Sequence, residues 1–379
     1  MSFTPGRSSR RNVMKWGAAL GAAAAIPGMG GLGGFPVLAQ DDAAWETAPD
    51  AALAAEQARQ IYSYGMPLDW ANYGEVFKAF QASLGLTPND HIDTDMSSLE
   101  EITKFDAEKA NPVAMFADIG MLWGKVASER GVVPPYLPPT AESLPEGYKG
   151  ADGGWIATFA GVPSFVVNVD ALGGADVPMT WEDLLRADLK GKVGSSGDPR
   201  SSGTSQTTFL AWTYANGGDA ANLAPGVEYA KKVIQQYNAA DASIDLLEKG
   251  EIALWMRYDF NCEAAVAQLK DKGINAQTVI PGVSIYAPSA LMVNTYKTDT
   301  MDAAKVFMEY VLGDEAAAIF AKFGARPIRY VLGQQELPAE AKAGWLPEEA
   351  YKDVVVVEDF TAIDANDIAA TWDEEVLGG

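Results

Sequence analysis

A run of hydroxyl side chains around one glycine, Ser201-Ser202-Gly203-Thr204-Ser205, is the strongest candidate binding feature of the sequence. It follows a predicted short strand and turn, and it opens a predicted helix. The first turn of a helix leaves backbone N–H groups unpaired and carries partial positive charge, and hydroxyls add donors. The pattern is typical of a nest for phosphate, phosphonate, sulfate or carboxylate. The alternative is plain N-capping in a polar loop, with Arg200 either adding charge or facing solvent.

A second feature combines apolar, cationic and acidic groups in five residues, Trp255-Met256-Arg257-Tyr258-Asp259. Side chains alternate along a strand, which would put Trp255, Arg257 and Asp259 on one face and Met256 and Tyr258 on the other. An arginine that faces a cleft can hold a phosphonate or a carboxylate through two parallel hydrogen bonds. The alternative is a surface ion pair between Arg257 and Asp259.

Further candidates lie where predicted strands end. Tyr64, Gly65 and Met66 end the first predicted strand, and Trp70 begins the following helix. For Trp70 we favour packing in the core. Asp118 follows a second apolar strand, where it can accept hydrogen bonds from an amine or a hydroxyl or can cap a helix.

The counts of cysteine and histidine exclude several kinds of site. Cys262 is the single cysteine and His91 the single histidine. Within the chain this excludes a disulfide, a His/Cys zinc site, a bis-histidine haem and a cysteine-ligated iron–sulfur cluster. We expect no metal and no cofactor. A hydrolase needs a nucleophile with a base, and His91 stands in a polar run, 89–93, that predicts an exposed loop. We therefore predict no catalytic residue.

The charge balance limits the partners. The chain has 28 lysines and arginines against 51 aspartates and glutamates, a formal net charge of −23. Such a charge argues against nucleic acid and against anionic membrane surfaces. It does not decide the charge of a ligand, because the field of the whole protein says little about one pocket.

The elements that would position these residues alternate between strand and helix. Strands are predicted at 60–65, 112–120, 155–168 with a break near Gly161-Val162-Pro163, 191–194, 252–256 and 276–280. Helices are predicted at 70–85, 97–109, from Thr180, at 201–214, 302–312 and 315–323. This alternation predicts an open α/β fold, in which loops beyond the carboxyl ends of the strands meet the ligand.

The N-terminus resembles a twin-arginine export signal. Arg10 and Arg11 stand in the pattern Ser-Arg-Arg, any residue, two apolar residues, Lys15, and the uncharged run 16–39 follows. The small residues at its end predict cleavage between Ala39 and Gln40. A membrane-anchoring helix is the alternative, but prolines and glycines interrupt the run. The resemblance implies that the twin-arginine translocase exports the folded protein to the periplasm.

Behind the signal, the order of the pieces is similar to that of the solute-binding proteins of ABC importers, which have the type II periplasmic binding fold. The resemblance covers about 60–329, and its motifs are specific only in their joint order. They are Ile61–Tyr64, Pro178–Leu185, Leu189–Val193, Asp198–Thr204, Glu251–Trp255, Ile280–Gly282 with Ala303–Phe307, and Gly324–Arg329.

The resemblance implies an α/β protein of two lobes, with mixed sheets flanked by helices and a cleft that closes by hinge bending. We expect lobe one at 41–167 and 289–329 and lobe two at 168–288, with crossings near Val167-Asn168 and near 284–288. Phe165 and Tyr286 lie beside these crossings and are further candidates for the cleft. The segment 330–379 is expected to pack on lobe one.

Differences from the ligand-binding residues of these relatives narrow the class of substrate. Polyamine binders that resemble this chain carry a carboxylate two residues past the aromatic at the second crossing, where this chain has Pro288. Ferric binders carry two adjacent tyrosines, whereas here Tyr258 and Tyr286 would have to be brought together. An anionic or zwitterionic solute therefore fits best, such as a phosphonate or a phosphorylated or carboxylated compound.

The sequence thus predicts a non-catalytic, monomeric substrate-binding component of an ABC importer. It would capture a small polar solute in the periplasm and deliver it to a permease in the inner membrane. A polyamine- or ferric-ion-binding transport protein remains an alternative. Two other classes also remain open, namely a periplasmic hydrolase exported in the folded state and a receptor subunit that reports ligand occupancy to a sensor.

Overall fold

The computed structural model describes residues 42–358 and 360–378, so the predicted export signal and its cleavage point lie outside the described residues. The strands are β1 (Tyr62–Tyr64), β2 (Ile92–Thr94), β3 (Phe116–Gly120), β4 (Trp155–Gly161), β5 (Pro163–Asn168), β6 (Val193–Gly194), β7 (Leu254–Tyr258), β8 (Ala276–Val279), β9 (Ser284–Ile285), β10 (Ala287–Val293), β11 (Arg326–Pro327) and β12 (Val354–Val355). The α-helices are α1 (Asp42–Trp45), α2 (Ala51–Gln57), α3 (Tyr73–Ser83), α4 (Ser98–Ala107), α5 (Gly124–Glu129), α6 (Gly203–Ala215), α7 (Ala224–Val233), α8 (Ile244–Glu248), α9 (Asp259–Asp271), α10 (Met301–Val311), α11 (Asp314–Phe323), α12 (Ile328–Val331) and α13 (Ala365–Thr371).

Two mixed sheets organise these elements. The first has six strands in the order β11-β4-β10-β3-β1-β2, with β1 parallel to β2 and β3, and β10 antiparallel to β3 and β4. The second has four strands in the order β6-β7-β5-β8, with β6 parallel to β7 and β5 antiparallel to both of its neighbours. Helices flank both sheets, and the predicted α/β class is confirmed.

The chain crosses from the first sheet to the second at Val162, between β4 and β5, and the expected crossing at Val167-Asn168 is wrong. The whole of β5 lies in the second sheet, where Phe165 pairs with Met256 on one side and Val279 on the other. The break that the sequence shows at Gly161-Val162-Pro163 is itself the crossing, because Pro163 has no N–H with which to continue the first ladder. The chain returns through β9 and enters the first sheet again at β10.

Local sequence signals account for the helices that position the cleft. In α3 the residues Tyr73, Val76, Phe77 and Phe80 are fully buried, at the spacing of one helical face. In α4 the Ser97 and Glu100 side chains form a reciprocal capping box.

The helix predicted from Thr180 is wrong. The chain forms only two short 3₁₀ turns there, Glu182–Leu185 and Ala187–Leu189. The Asp183 carboxylate accepts from the backbone N–H groups of Met179 and Thr180. The capping interaction that the sequence predicts at Thr180 and Asp183 is therefore present. However, the backbone of Arg186 is extended, so the turn does not continue into an α-helix.

The C-terminal segment packs on the first-sheet side at its beginning and again near its middle, where Tyr148 donates its hydroxyl to the Val357 carbonyl and Lys125 pairs with Asp364. Trp345 Nε1 donates to the Ala321 carbonyl of α11 at 2.7 Å. Beyond it, β12 pairs with β9, and α13 leads to Trp372, whose ring lies 6.0 Å from that of Phe209 in α6. The expectation that all of 330–379 packs on lobe one does not hold at its end, because Trp372 is buried against α6.

Among the described residues, the longest helices have 13 residues, and none is both long and apolar enough to cross a bilayer.

Candidate ligand-binding cleft

A cleft of about 500 Å³ lies between the ends of elements from the two sheets. The first-sheet side contributes the ends of β1 and β3 and the start of α4. The second-sheet side contributes the start of α6, the end of β7 and the first turns of α9. Polar and aromatic side chains dominate the lining, which is typical of a site that orients a polar ligand.

The start of α6 presents backbone donors to the cleft. Ser202 is the N-cap, and its Oγ accepts from the N–H of Ser205 at 3.5 Å. Ser202, Gly203 and Thr204 line the cleft. Within the described residues the N–H groups of Gly203 and Thr204 donate to no protein acceptor, as expected for the first turn of a helix. These unpaired donors face the cleft, and the binding of an anion by them stays a prediction.

Arg257 is the cation of this cleft in the described part of the chain. Its guanidinium carbon lies 4.2 Å from the ring centroid of Trp255, which is two residues earlier on the same face of β7. Trp255 is itself held by its indole N–H, which donates to the Ser195 carbonyl at 3.0 Å. Burial lowers the pKa of Arg257, yet a guanidinium remains charged at neutral pH.

The proposed surface pair between Arg257 and Asp259 does not form. Asp259 begins α9, is only 2% exposed and lies 3.6 Å from Arg326. It also accepts from the N–H of Val162 and from the Tyr351 hydroxyl. Among the described residues Arg257 has no carboxylate partner within ion-pair distance, so its donors remain free for a ligand.

Tyr258 and Asn261 complete this side of the cleft. The Tyr258 hydroxyl lies 3.0 Å from Thr207 Oγ1 of α6, which ties β7 to that helix. Asn261, in the first turn of α9, is 6% exposed and lines the cleft.

Asp118 lies on the opposite side, within β3 and not after it, so the helix-cap alternative is wrong. One carboxylate oxygen accepts from the Trp70 indole N–H at 2.5 Å, and the other accepts from the Tyr73 hydroxyl at 3.2 Å. Burial raises the pKa of Asp118 to about 7, although the hydrogen bonds oppose that shift. Trp70 packs against the core, as favoured from the sequence, and it also lines the cleft.

Glu101, in the first turn of α4, is a cleft residue that the sequence did not single out. It is 1% exposed, and its Oε2 has no hydrogen-bond partner. Its Oε1 lies directly against Gly65, where an added Cβ would come within 1.8 Å of that oxygen. Burial and then the charge of Asp118 raise the pKa of Glu101 well above its usual range.

Five sequence candidates do not line the cleft. Tyr64 donates its hydroxyl to Glu108, Met66 is fully buried, and the Ser201 carbonyl accepts from Leu99. The expectation that Phe165 and Tyr286, beside the expected crossings, face the ligand is wrong. Phe165 packs against Trp181 in the core, and the Tyr286 N–H pairs with Val355 of β12.

His91 is also not where the sequence predicted it. It is 5% exposed beneath α3, its Nε2 lies 2.6 Å from the Met66 carbonyl, and its ring lies 4.7 Å from that of Phe77. Arg200 faces solvent and pairs with Asp198 and Asp373. In the described part of the chain no group of three or more His, Cys, Asp or Glu residues could hold a metal ion.

Two parts of this chain match models of known protein families. Residues 117–354 match the family model described as bacterial extracellular solute-binding protein, and residues 7–27 match the signal sequence of the twin-arginine translocation pathway. A protein of Sinorhizobium fredii, described as a probable ABC transporter periplasmic-binding protein, is 29% identical over 245 residues. That match spans 59% of this chain and 62% of the relative's length.

Solved structures share the fold. The periplasmic binding protein AfuA from Actinobacillus pleuropneumoniae, with fructose-6-phosphate bound, has a TM-score of 0.63 at 18% identity over 84% of this chain and 98% of its own. The periplasmic binding protein P5PA has a TM-score of 0.62 at 22% identity, over 84% of this chain and 99% of its own. These likenesses confirm the two-lobed fold. With its twin-arginine signal directing export to the periplasm, the chain belongs to the bacterial extracellular solute-binding protein family.

Proposed function

We propose that the protein is the substrate-binding component of an ABC importer, which captures a small polar solute in the periplasm and delivers it to a permease in the inner membrane. Family membership and the likeness to an ABC transporter periplasmic-binding protein support this role. We also propose that the two sheets are the centres of the two lobes. On this assignment the lobes meet along the cleft and hinge at the crossings near Val162 and β9.

The observation that carries the proposal is the unpaired Arg257 beside the start of α6. A guanidinium stacked on Trp255, with free backbone N–H groups at Gly203 and Thr204, suits a phosphate, phosphonate or carboxylate group. Fructose-6-phosphate in AfuA carries such a group in a similar fold. We therefore assign the anionic end of the substrate to these residues.

The alternatives receive less support. A ferric site needs hard ligands brought together, but Tyr258 bonds to Thr207 and Tyr286 lies outside the cleft. A hydrolase that used His91 would need it in the cleft, and His91 is buried beneath α3. A polyamine binder would have no use for a half-buried, unpaired arginine in its site, although the carboxylates of the cleft suit amines.

Thermal unfolding of the exported protein with single solutes tests the function. We expect a phosphorylated, phosphonate or carboxylate compound to raise the melting temperature, and expect deletion of the gene to abolish cellular uptake of that compound. A protein that is stabilised by none of these solutes, or that converts one of them to product, would contradict the proposal. Stabilisation by spermidine alone would favour the polyamine alternative.

A further inference from the structure

The acidic side chains of the cleft are not explained by an anionic substrate. Asp69, Asp95, Glu101 and Asp118 all line it, whereas Arg257 is its one cation among the described residues. Carboxylates near a bound anion repel it, so a purely anionic solute would be penalised in this cleft. The inference below rests on the proposed function, because it concerns the other end of the same substrate.

Glu101 is the member of this group that most needs a partner. It is 1% exposed and its Oε2 accepts no hydrogen bond from any described residue. A buried polar group without a partner costs free energy, and a charged one costs more. Its Oε1 packs against Gly65, whose positive φ of 63° and missing Cβ make that approach possible.

Asp118 is held in place as an acceptor near Glu101. Trp70 and Tyr73 donate to its two oxygens, so its orientation is set by two separate side chains. The charge of Asp118 helps to raise the pKa of Glu101, and the charge of Asp93 helps to raise the pKa of both carboxyl groups. A cation between them would relieve this repulsion.

Aromatic rings lie beside these carboxylates. The Trp70 ring lies 6.3 Å from that of Tyr258 and 5.5 Å from that of Phe260. Trp70 and Tyr258 both line the cleft. The face of an indole or a phenol attracts an ammonium group, and the attraction grows as water is excluded.

We propose that Glu101 and Asp118, with the Trp70 ring, bind a positively charged nitrogen of the substrate, while Arg257 and the start of α6 bind its anionic group. The substrate is then a small zwitterion. Its ammonium end and its acidic end are recognised by different lobes, so only a molecule that carries both groups links the two lobes fully.

The test compares matched solutes on the exported protein by titration calorimetry. The pairs are phosphoethanolamine against ethyl phosphate, and 4-aminobutyrate against butyrate, with putrescine as the cation alone. We expect the zwitterion of at least one pair to bind at least tenfold more tightly than its amine-free analogue and than putrescine. Equal or tighter binding of the amine-free analogues would overturn the inference and leave the proposed function intact. Tight binding of putrescine alone would overturn it as well, and binding of none of the five would overturn both.

The variant Glu101→Gln tests whether Glu101 binds the positively charged nitrogen. It keeps the shape and removes the charge, so we expect the advantage of the zwitterion to fall about tenfold while binding of the amine-free analogue is retained or improved. Asp106→Asn, an exposed position on the same helix, is the matched control and should leave both affinities unchanged. A Glu101→Gln protein that folds and keeps the full advantage would contradict the assignment. If this variant does not fold, the comparison of solutes on the unmodified protein decides.

Discussion

Gly120, the last residue of β3, and Gly203, the first residue of α6, approach so closely that a Cβ on either would lie 2.6 Å from the α-carbon of the other. One comes from the first sheet and the other follows the second. The Ser201 carbonyl accepts from the Leu99 N–H of α4 at the same place. The backbones of Gly120 and Gly203 are in contact here. The start of α6 therefore reaches the cleft with no side chain between it and the end of β3.

Gly203→Ala should therefore weaken ligand binding by holding the lobes apart. Overpacking of this kind costs about 1–3 kcal/mol, which corresponds to roughly a 5- to 150-fold loss of affinity if closure is required. Titration calorimetry with the ligand found by thermal screening measures the loss. Gly344→Ala is the control, because a Cβ there meets no atom within 4 Å. Unchanged affinity in Gly203→Ala would show that the two backbones do not meet in the bound state.

Arg257→Gln should reduce affinity for an anionic or zwitterionic ligand about 10- to 100-fold, because a hydrogen bond to a charged group contributes roughly 1.5–3 kcal/mol. Arg257→Lys should recover only part of this, since lysine lacks the planar fork.

The unliganded Arg257→Gln protein should lose only the stacking on Trp255, about 0.5–2 kcal/mol, because Arg257 has no ion pair among the described residues. Arg186→Gln removes an arginine that pairs with Asp188 on the surface, and it serves as the control for affinity. A large drop in the melting temperature of unliganded Arg257→Gln would indicate a structural role instead.

The contribution of Asp118 to the stability of the unliganded protein should fall as the pH rises from about 4 to 7. Burial raises the pKa of Asp118 from the ordinary aspartate value of 3.8 to about 7. Between these values the folded state binds the proton and the unfolded state does not, so each pH unit removes up to about 1.4 kcal/mol. Glu101, whose pKa is also raised, acts in the same direction.

Urea unfolding of the wild type and Asp118→Asn across pH 5 to 8 measures this effect. The curve of the variant should be flatter, because the amide that replaces the Asp118 carboxyl group does not titrate between these pH values. Parallel curves would show that Asp118 titrates in its ordinary range.

The Arg326–Asp259 pair should stabilise the hinge. Arg326 of β11 is stacked between Tyr351 and Trp345, with its guanidinium carbon 3.6 Å and 4.2 Å from the two ring centroids. Asp259→Asn would leave this cation buried without its partner, which costs about 3–5 kcal/mol. The loss should be smaller in the background of Arg326→Met, as a double-mutant cycle in urea would show.

The surface variant Asp106→Asn, which breaks an exposed pair with Lys109, should cost less than about 1 kcal/mol. Equal costs for the buried and the exposed pair would contradict the structural role of Asp259.

The features that the sequence determined by itself are those set by near neighbours. Ser202 before Gly203, the capping box at Ser97, and the strand through Arg257 each depend on groups within a few residues. Helix caps and strand alternation act over such distances, so these sites could be predicted. The export signal is likewise a local pattern, and it matches the twin-arginine model at residues 7–27.

The tertiary structure alone decided which carboxylates enter the cleft and what the C-terminal segment covers. Glu101 meets Gly65 and Asp118 meets Trp70 across 36 and 48 residues of chain. Tyr351 reaches Asp259 across 92 residues. No periodicity encodes such contacts, because they arise when packed sheets and helices bring distant side chains together and bury them. The end of the candidate site that would bind an anion could thus be predicted from local chemistry. The end that carries the carboxylates exists only because α4 and β3 are packed side by side.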